Sequence, residues 1–263
     1  MEETVICDTN IWYAIADGSI DKAKLNGLNL VLTFNSLVEF ASTDLLYKKP
    51  LLVREAVLAA LVFSNKIDLR PSFNIVSEVL VKNHKHDLSE GFFLLEEARV
   101  YTRMKDKDIY HRMSKEMIHS INSRQDEIQG VCDHINKDQL PQIRNNLENK
   151  TEKKIHANRN MLEPTIAFYK FLLGLKTQDL LFLDNPDSKT INALLHGTIA
   201  FFKDLELRSE RKFKRNDWFD MMNLAYVNGP ETLYWTNDKS WINLLKQGGM
   251  EHILFDAKKL NSH

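Results

Sequence analysis

Short apolar runs of strand length alternate with helix-forming runs at both ends of this 263-residue chain, and a long, polar, helical stretch separates the two ends. That alternation constrains the fold more than any other feature, because strands that alternate with helices build parallel sheets. Residues 5–7 are the first apolar run and pass straight into Asp8. Residues 28–34 (LNLVLTF) predict a second strand bounded by Asn35 and Ser36, then a helix with Leu37, Val38, Phe40, Ala41 and Leu45 on its apolar side. Residues 53–63, rich in Ala and Leu, predict a helix, 66–71 a third strand and 73–81 another helix. Near the other end, 217–227 predict a helix, 232–236 a strand, 239–246 a helix and 253–255 a last strand reached through Gly248 and Gly249.

From 82 to 204 the texture changes. Residues 89–110 carry apolar positions at helical spacing; 110–160 are polar and broken by Pro141; 161–182 are apolar again, and 184–188 form a turn before one more helix. The expected organisation is one α/β domain made of residues 1–81 and 205–263, interrupted by a helical insertion at 82–204. With 43% hydrophobic residues, a sizeable core is available. A formal charge of −1 gives no general affinity for polyanions, so nucleic-acid binding would have to come from local patches. Cys7 and Cys132 are too few for a disulfide framework, which fits a reducing interior. The acidic start is unlike a secretion signal, and no apolar run approaches a membrane span. These features predict a soluble, cytoplasmic protein with no membrane contact.

Acids recur where such a fold would converge. Asp8 follows strand one, Glu39 lies in the first turn of the helix after strand two, Asp217 and Asp220 open a later helix three residues apart, and Asp238 follows the strand ending at Thr236. Parallel strands place their carboxyl ends on one edge, where ligands of open α/β sheets bind. Clustered carboxylates repel one another and are costly to bury unpaired, a conflict that a hard divalent cation such as Mg²⁺ or Mn²⁺ resolves. Such an ion activates water and neutralises charge on a phosphodiester. Each acid also has a plain structural reading. Asp8 or Asn10 could cap a helix, Ser36-x-x-Glu39 is a capping box, Asp217 suits a helix start, and Asp238 suits a turn.

With these motifs in order, the chain resembles a PIN-domain nuclease: Asp8 with Thr9 and Asn10, then Ser36-Leu37-Val38-Glu39, then Asp220 in residues 217–225, then Thr236-Asn237-Asp238. The resemblance covers roughly residues 1–80 and 205–263. It implies a three-layer α/β/α fold with a central parallel sheet. The implied activity is a metal-dependent endoribonuclease in which Asp8, Glu39, Asp220 and Asp238 hold Mg²⁺ or Mn²⁺, directly or through waters. Asp217 would be auxiliary, with Asp220 the favoured ligand of the two, and Thr9, Asn10 and Thr236 would support the centre. The implied substrate is RNA, single-stranded by preference. An inhibitor protein is a further expected partner if the chain is the toxin of a toxin–antitoxin or defence pair. A catalytically silent PIN-like binding module is the alternative, and the insertion is open to a specificity or homodimer role.

The run Arg208, Arg211, Lys212, Lys214 and Arg215 precedes the Asp217/Asp220 helix and could hold substrate phosphates or simply face solvent. His84-Lys85-His86-Asp87 has neither zinc-finger nor helical metal spacing and reads as a surface loop. The pairs Phe92-Phe93, Phe168-Tyr169 and Phe201-Phe202 are expected to pack the insert. No Gly-rich phosphate loop, nucleophile elbow or dinucleotide fingerprint is present.

Overall fold

The computed structural model describes residues 3–80, 87–111, 115–141, 192–208 and 210–261. The expected apolar stretch at 161–182, the turn at 184–188, the Phe168-Tyr169 pair and His84, Lys85 and His86 lie outside these residues. The chain is α/β. Strands β1 (Thr4–Cys7), β2 (Asn29–Thr33), β3 (Lys66–Asp68) and β4 (Thr232–Trp235) form one all-parallel sheet in the order β3-β2-β1-β4. Val5 pairs with Leu30 on one side and Leu233 on the other, and all three are buried. This continuous apolar pattern is what a sheet covered on both faces requires, and the strand order is compatible with helix layers on both. Connections from β1 and β2 step towards one edge, then β4 is placed on the far side of β1. The β1–β4 boundary is therefore the switch point of the sheet.

Helices α1 (Thr9–Ala16), α2 (Phe34–Ser42), α3 (Leu45–Lys48), α4 (Pro50–Phe63) and α5 (Ser72–Leu80) fill the first part of the chain. The middle contributes α6 (Ser89–Thr102), α7 (Asp106–His111), α8 (Lys115–His134) and α9 (Asn192–Leu207); α10 (Arg215–Asn223) and α11 (Lys239–Gln247) flank β4. Helix α6 packs on α2 and α4, α8 on α2 and α10, and α9 on α10 and α11. Their buried side chains belong to the same hydrophobic cluster as the sheet. The boundary drawn at residue 205 falls inside α9. Gly91 lets α6 also approach the segment after β3, since a Cβ there would meet the Leu69 carbonyl at 2.4 Å. A cavity of about 580 Å³ lies between α2, α4, α6 and α8, lined by Leu37, Phe40, Val57 and Leu94 among others. No helix among the described residues is long and apolar enough to cross a membrane.

Several expected boundaries are corrected. Helix α2 starts at Phe34, not after Ser36, because the Thr33 hydroxyl accepts the Ser36 N–H at 3.2 Å and caps the helix straight from the strand end. Glu39 consequently sits in the second turn, and no Ser36/Glu39 capping box forms. Helix α10 starts at Arg215, so Asp217 is its third residue rather than its opening one. Strand β3 stops at Asp68 because that carboxylate takes the Arg70 N–H at 3.1 Å and Pro71 has no N–H to give. The expected strand at 253–255 is reduced to a single bridge between Leu254 and Tyr234. Gly249, at φ +74°, ends α11 with Met250 N–H on the Leu245 carbonyl and its own N–H on Lys246, and the chain enters a 3₁₀ turn at once. The expected helix at 89–110 divides at Arg103, whose N–H turns back to Val100. Backbone is still helical at Pro141 after a π turn at Ile135–Gln139, and the residues that follow this proline lie outside the described ones. Phe201 and Phe202 are buried as expected, whereas Phe92 and Phe93 are more than half exposed and do not pack the insert.

Candidate metal centre at the strand ends

Asp8 is the first residue beyond β1 and is only 4% exposed. Its N–H still belongs to the sheet, donating to the Trp235 carbonyl at 2.9 Å, while its side chain caps α1. Oδ1 accepts the Thr9 N–H at 2.7 Å, and Oδ2 accepts the Thr236 hydroxyl at 2.8 Å and the Asn10 amide. Capping and site-building thus use the same carboxylate. Asn10 reaches across the switch point, donating to Thr236 Oγ1 at 3.0 Å and accepting the Asn237 N–H at 3.0 Å. Thr236 Oγ1 in turn accepts the Asp238 N–H. Asn10 and Thr236 therefore tie the ends of β1 and β4 together around Asp8, while Thr9 contributes its N–H to Asp8.

Two further acids face this junction. Glu39 is half-buried on α2, and Asp220 is buried on α10 with the Tyr234 hydroxyl donating to its Oδ1 at 3.5 Å. Burial pushes the Asp8 carboxyl up to about 6, against hydrogen bonds from Thr236 and Thr9 that pull it down. Burial and then the Asp8 charge push Glu39 up to about 7, with the Arg215 guanidinium pulling the other way. Asp220 is raised by burial first, then by Asp8, Glu39 and Asp238. Acids that penalise one another in this way share one electrostatic neighbourhood. Asp238 differs. Burial would raise it, but the Ser240 hydroxyl and the N–H groups of Trp241 and Ser240 hold it below its usual range. All three bonds fall on Oδ1 as it caps α11.

Asp217 adds its charge to those that raise Asp220, but other partners hold its own oxygens. Its Oδ1 pairs with Arg211 at 3.0 Å and its Oδ2 accepts the Lys214 N–H at 2.9 Å, closing the first turn of α10. Arg211 also pairs with Asp204 and lies 4.8 Å over the Phe201 ring, and Arg208 pairs with Asp204 at 2.9 Å. These two members of the basic run brace α9 against α10. Lys212 and Lys214 are exposed, while half-buried Arg215 lies close enough to Glu39 and Asp44 to stabilise both charges.

Among the described residues, no three His, Cys, Asp or Glu side chains are close enough to form a ready-made ion cage. The donor set is nevertheless all oxygen, and it suits a hard cation that keeps most of its waters and takes one or two carboxylates directly. It lacks the Cys and His ligands on which structural zinc sites are built.

No family model matches this chain. No curated protein and no solved structure matches it either. Its chemistry therefore rests on its own residues.

Four polar residues beneath the acids were not singled out as site residues from the sequence. Thr33, Ser36, Asn223 and Tyr234 are fully buried. Thr33 Oγ1 donates to Asn223 Oδ1 at 3.2 Å and lies 3.2 Å from Ser36 Oγ, and Asn223 Nδ2 donates to Asp8 Oδ1 at 3.4 Å. The legible signal was Asn223 itself. It is a lone amide three residues after Asp220, in a run that is otherwise apolar.

Proposed function

We propose that this protein is a PIN-like, Mg²⁺- or Mn²⁺-dependent nuclease that hydrolyses RNA phosphodiesters, with the three-layer fold such enzymes have. The observation that carries the reading is the grouping of Asp8, Glu39 and Asp220 at the switch point. Burial raises all three, and the Asp8 charge raises Glu39 and Asp220 further. Among the described residues none of the three is ion-paired to a Lys or Arg, Arg215 only easing Glu39 from a distance. Leaving three acids in that state is costly unless something cationic joins them. Asp8 and Asp220 would hold the ion, with Glu39 and Asp238 reaching it through waters. A divalent ion held there supplies a water of lowered pKa and neutralises phosphate charge. Asp8 is kept aimed by Asn10 and Thr236. Arg215, with Lys212 and Lys214 beside it, supplies the positive flank on which a phosphate strand can lie. Asp217 braces Arg211 and α10 rather than facing the ion.

The test is cleavage of a single-stranded RNA by purified protein with Mn²⁺, with Mg²⁺ and with excess chelator. Cutting that needs the ion and disappears in Asp8→Asn and Asp220→Asn supports the reading; equal cutting in all three conditions, or in either variant, overturns it. The lack of a closed cage among the described residues favours one second reading, a catalytically silent module of the same fold acting through its helical middle. RNA bound but never cut, with any ion, selects it. An inhibitor protein that abolishes cutting would extend the first reading to a toxin role.

A further inference from the structure

We propose that Asn223 is a positioning residue of the acid centre: its carboxamide locks Asp8 to the helix bearing Asp220, so that both carboxylates are in register before a cation arrives. The inference rests on the metal-centre reading above. Asn223 closes α10 and shares the helix face of Asp220, three residues earlier. It is 0% exposed, with Met221, Met222 and Leu224 buried around it. An amide in such a place is destabilising unless both its ends are hydrogen-bonded. Both are: Nδ2 donates to Asp8 Oδ1 at 3.4 Å and Oδ1 accepts the Thr33 hydroxyl at 3.2 Å. Thr33 ends β2 and Asp8 follows β1, so one side chain joins two strand ends and a helix. Ser36 extends the link, its hydroxyl 3.5 Å from the Cys7 carbonyl and 3.2 Å from Thr33 Oγ1.

The neutrality of the group is what suits it to this place. A Lys or Arg at 223 would satisfy Asp8 with a full charge and compete with the incoming ion. A Leu would fill the volume and leave Asp8 Oδ1 held by the Thr9 N–H alone. An amide orients the carboxylate and leaves its charge uncompensated, which is the part that outer partners play for metal ligands. Thr33 then acts through Asn223, fixing the carboxamide so that Nδ2 rather than Oδ1 faces Asp8.

The experiment measures Mn²⁺ affinity, by the magnetic resonance signal of the free ion, for the full chain and for Asn223→Leu, Thr33→Val and the double variant. Melting temperatures in chelator are recorded alongside. Asn223→Leu is expected to weaken Mn²⁺ binding ~10–100-fold, the usual cost of losing a partner of a metal ligand. Thr33→Val is expected to weaken it less, and to add less than its full single-variant effect once Asn223 is Leu, because part of its effect passes through the carboxamide and only the rest through the cap on α2. A purely structural role would instead lower the melting temperature in chelator and leave the affinity of the folded fraction unchanged. Wild-type affinity in folded Asn223→Leu, or additive effects in the double variant, overturns the proposal. If Asn223→Leu does not fold, unchanged affinity in Thr33→Val overturns it equally. A wild-type chain that binds no Mn²⁺ overturns the metal-centre reading and this inference with it, a result distinct from a variant that binds as well as the wild type.

Discussion

Two aspartates stand at strand ends on the same edge of the sheet, Asp8 after β1 and Asp68 at the end of β3, and both are more than nine-tenths buried. Asp68 is met by a guanidinium. Arg70 Nη2 and Nε donate to its two oxygens at 2.6 and 3.0 Å, and the same Arg70 reaches Glu78 at 3.3 Å. The pair pushes the Arg70 pKa up, so it stays charged at any working pH. Its backbone carbonyl also accepts the Tyr226 hydroxyl at 2.6 Å, anchoring the loop after β3. Among the described residues, Asp8 is met by neutral donors alone, from Thr9, Asn10, Thr236 and Asn223. Position and residue type are shared; the partner differs. A carboxylate closed off by Arg braces the fold, whereas one met by amides and hydroxyls has no counter-charge among those partners, which is what the proposed function builds on.

That contrast breaks if the two aspartates behave alike under substitution. On the proposed function, Asp8→Asn or Asp220→Asn should cut the RNA-cleavage rate by ~10²–10³-fold, the scale on which removing one transition-state-stabilising group acts. Asp68→Asn should leave the rate of the folded protein unchanged. Comparable losses at both ends of the edge would remove the distinction. For stability the order reverses. Arg70→Met should cost about 2–3 kcal/mol in denaturant unfolding, less than the roughly 3–5 kcal/mol typical of a fully buried pair, because Arg70 is 30% exposed. A smaller effect from Arg70→Met than from Asp8→Asn in chelator would reverse the assignment.

The pH dependence sharpens the same comparison. Asp8 and Glu39 have folded-state pKa values near 6 and 7 against ordinary values of 3.8 and 4.5, and Asp220 is raised as well. These three groups therefore hold more protons in the folded chain than in the unfolded one between about pH 4 and 7, the opposite sense to the lowered Asp238. Stability in chelator should fall as pH rises through that window and level off above it. Melting scans in chelator at pH 5 and pH 8 should differ by several degrees, with the acidic sample more stable. Asp220→Asn should shrink the difference, and Mn²⁺ should restore stability at pH 8. A curve that rises with pH would contradict this centre. The smallest expected effect belongs to Arg215→Gln, which should weaken RNA binding several-fold and lower the salt slope by about one unit. Unchanged binding at low salt would take Arg215 off the substrate path.

Much of this layout was legible along the chain. The runs at 28–34, 66–71 and 232–236 each contain a strand and 5–7 lies within one. Strands β1, β2 and β4 are apolar where the sheet buries them, Thr33 apart, whereas β3 is an edge strand with an exposed Lys66 and a buried Asp68. The acids at their ends were visible because a parallel sheet sends all carboxyl ends to one edge. The run at 253–255 was equally apolar, yet a Gly-ended helix and a 3₁₀ turn leave it one bridge, a matter of local geometry that hydrophobic pattern does not encode. Capping at α2 was misplaced by three residues because Thr33 and Ser36 are both good caps, and only the strand's exit angle chooses between them.

By itself, then, the order of residues determined the parallel α/β class and which acids could meet, since both follow from burial pattern and strand direction. Only the tertiary structure decided what each acid does. It gave Asp217 to Arg211 and Asp68 to Arg70, brought Asp8, Glu39 and Asp220 near enough for the Asp8 charge to raise the other two, with Arg215 flanking Glu39, and set Asn223 against Asp8. The reason is reach. A carboxylate's role depends on which charges and donors lie within a few ångströms, and here Asn223 lies 215 residues along the chain from the Asp8 it orients.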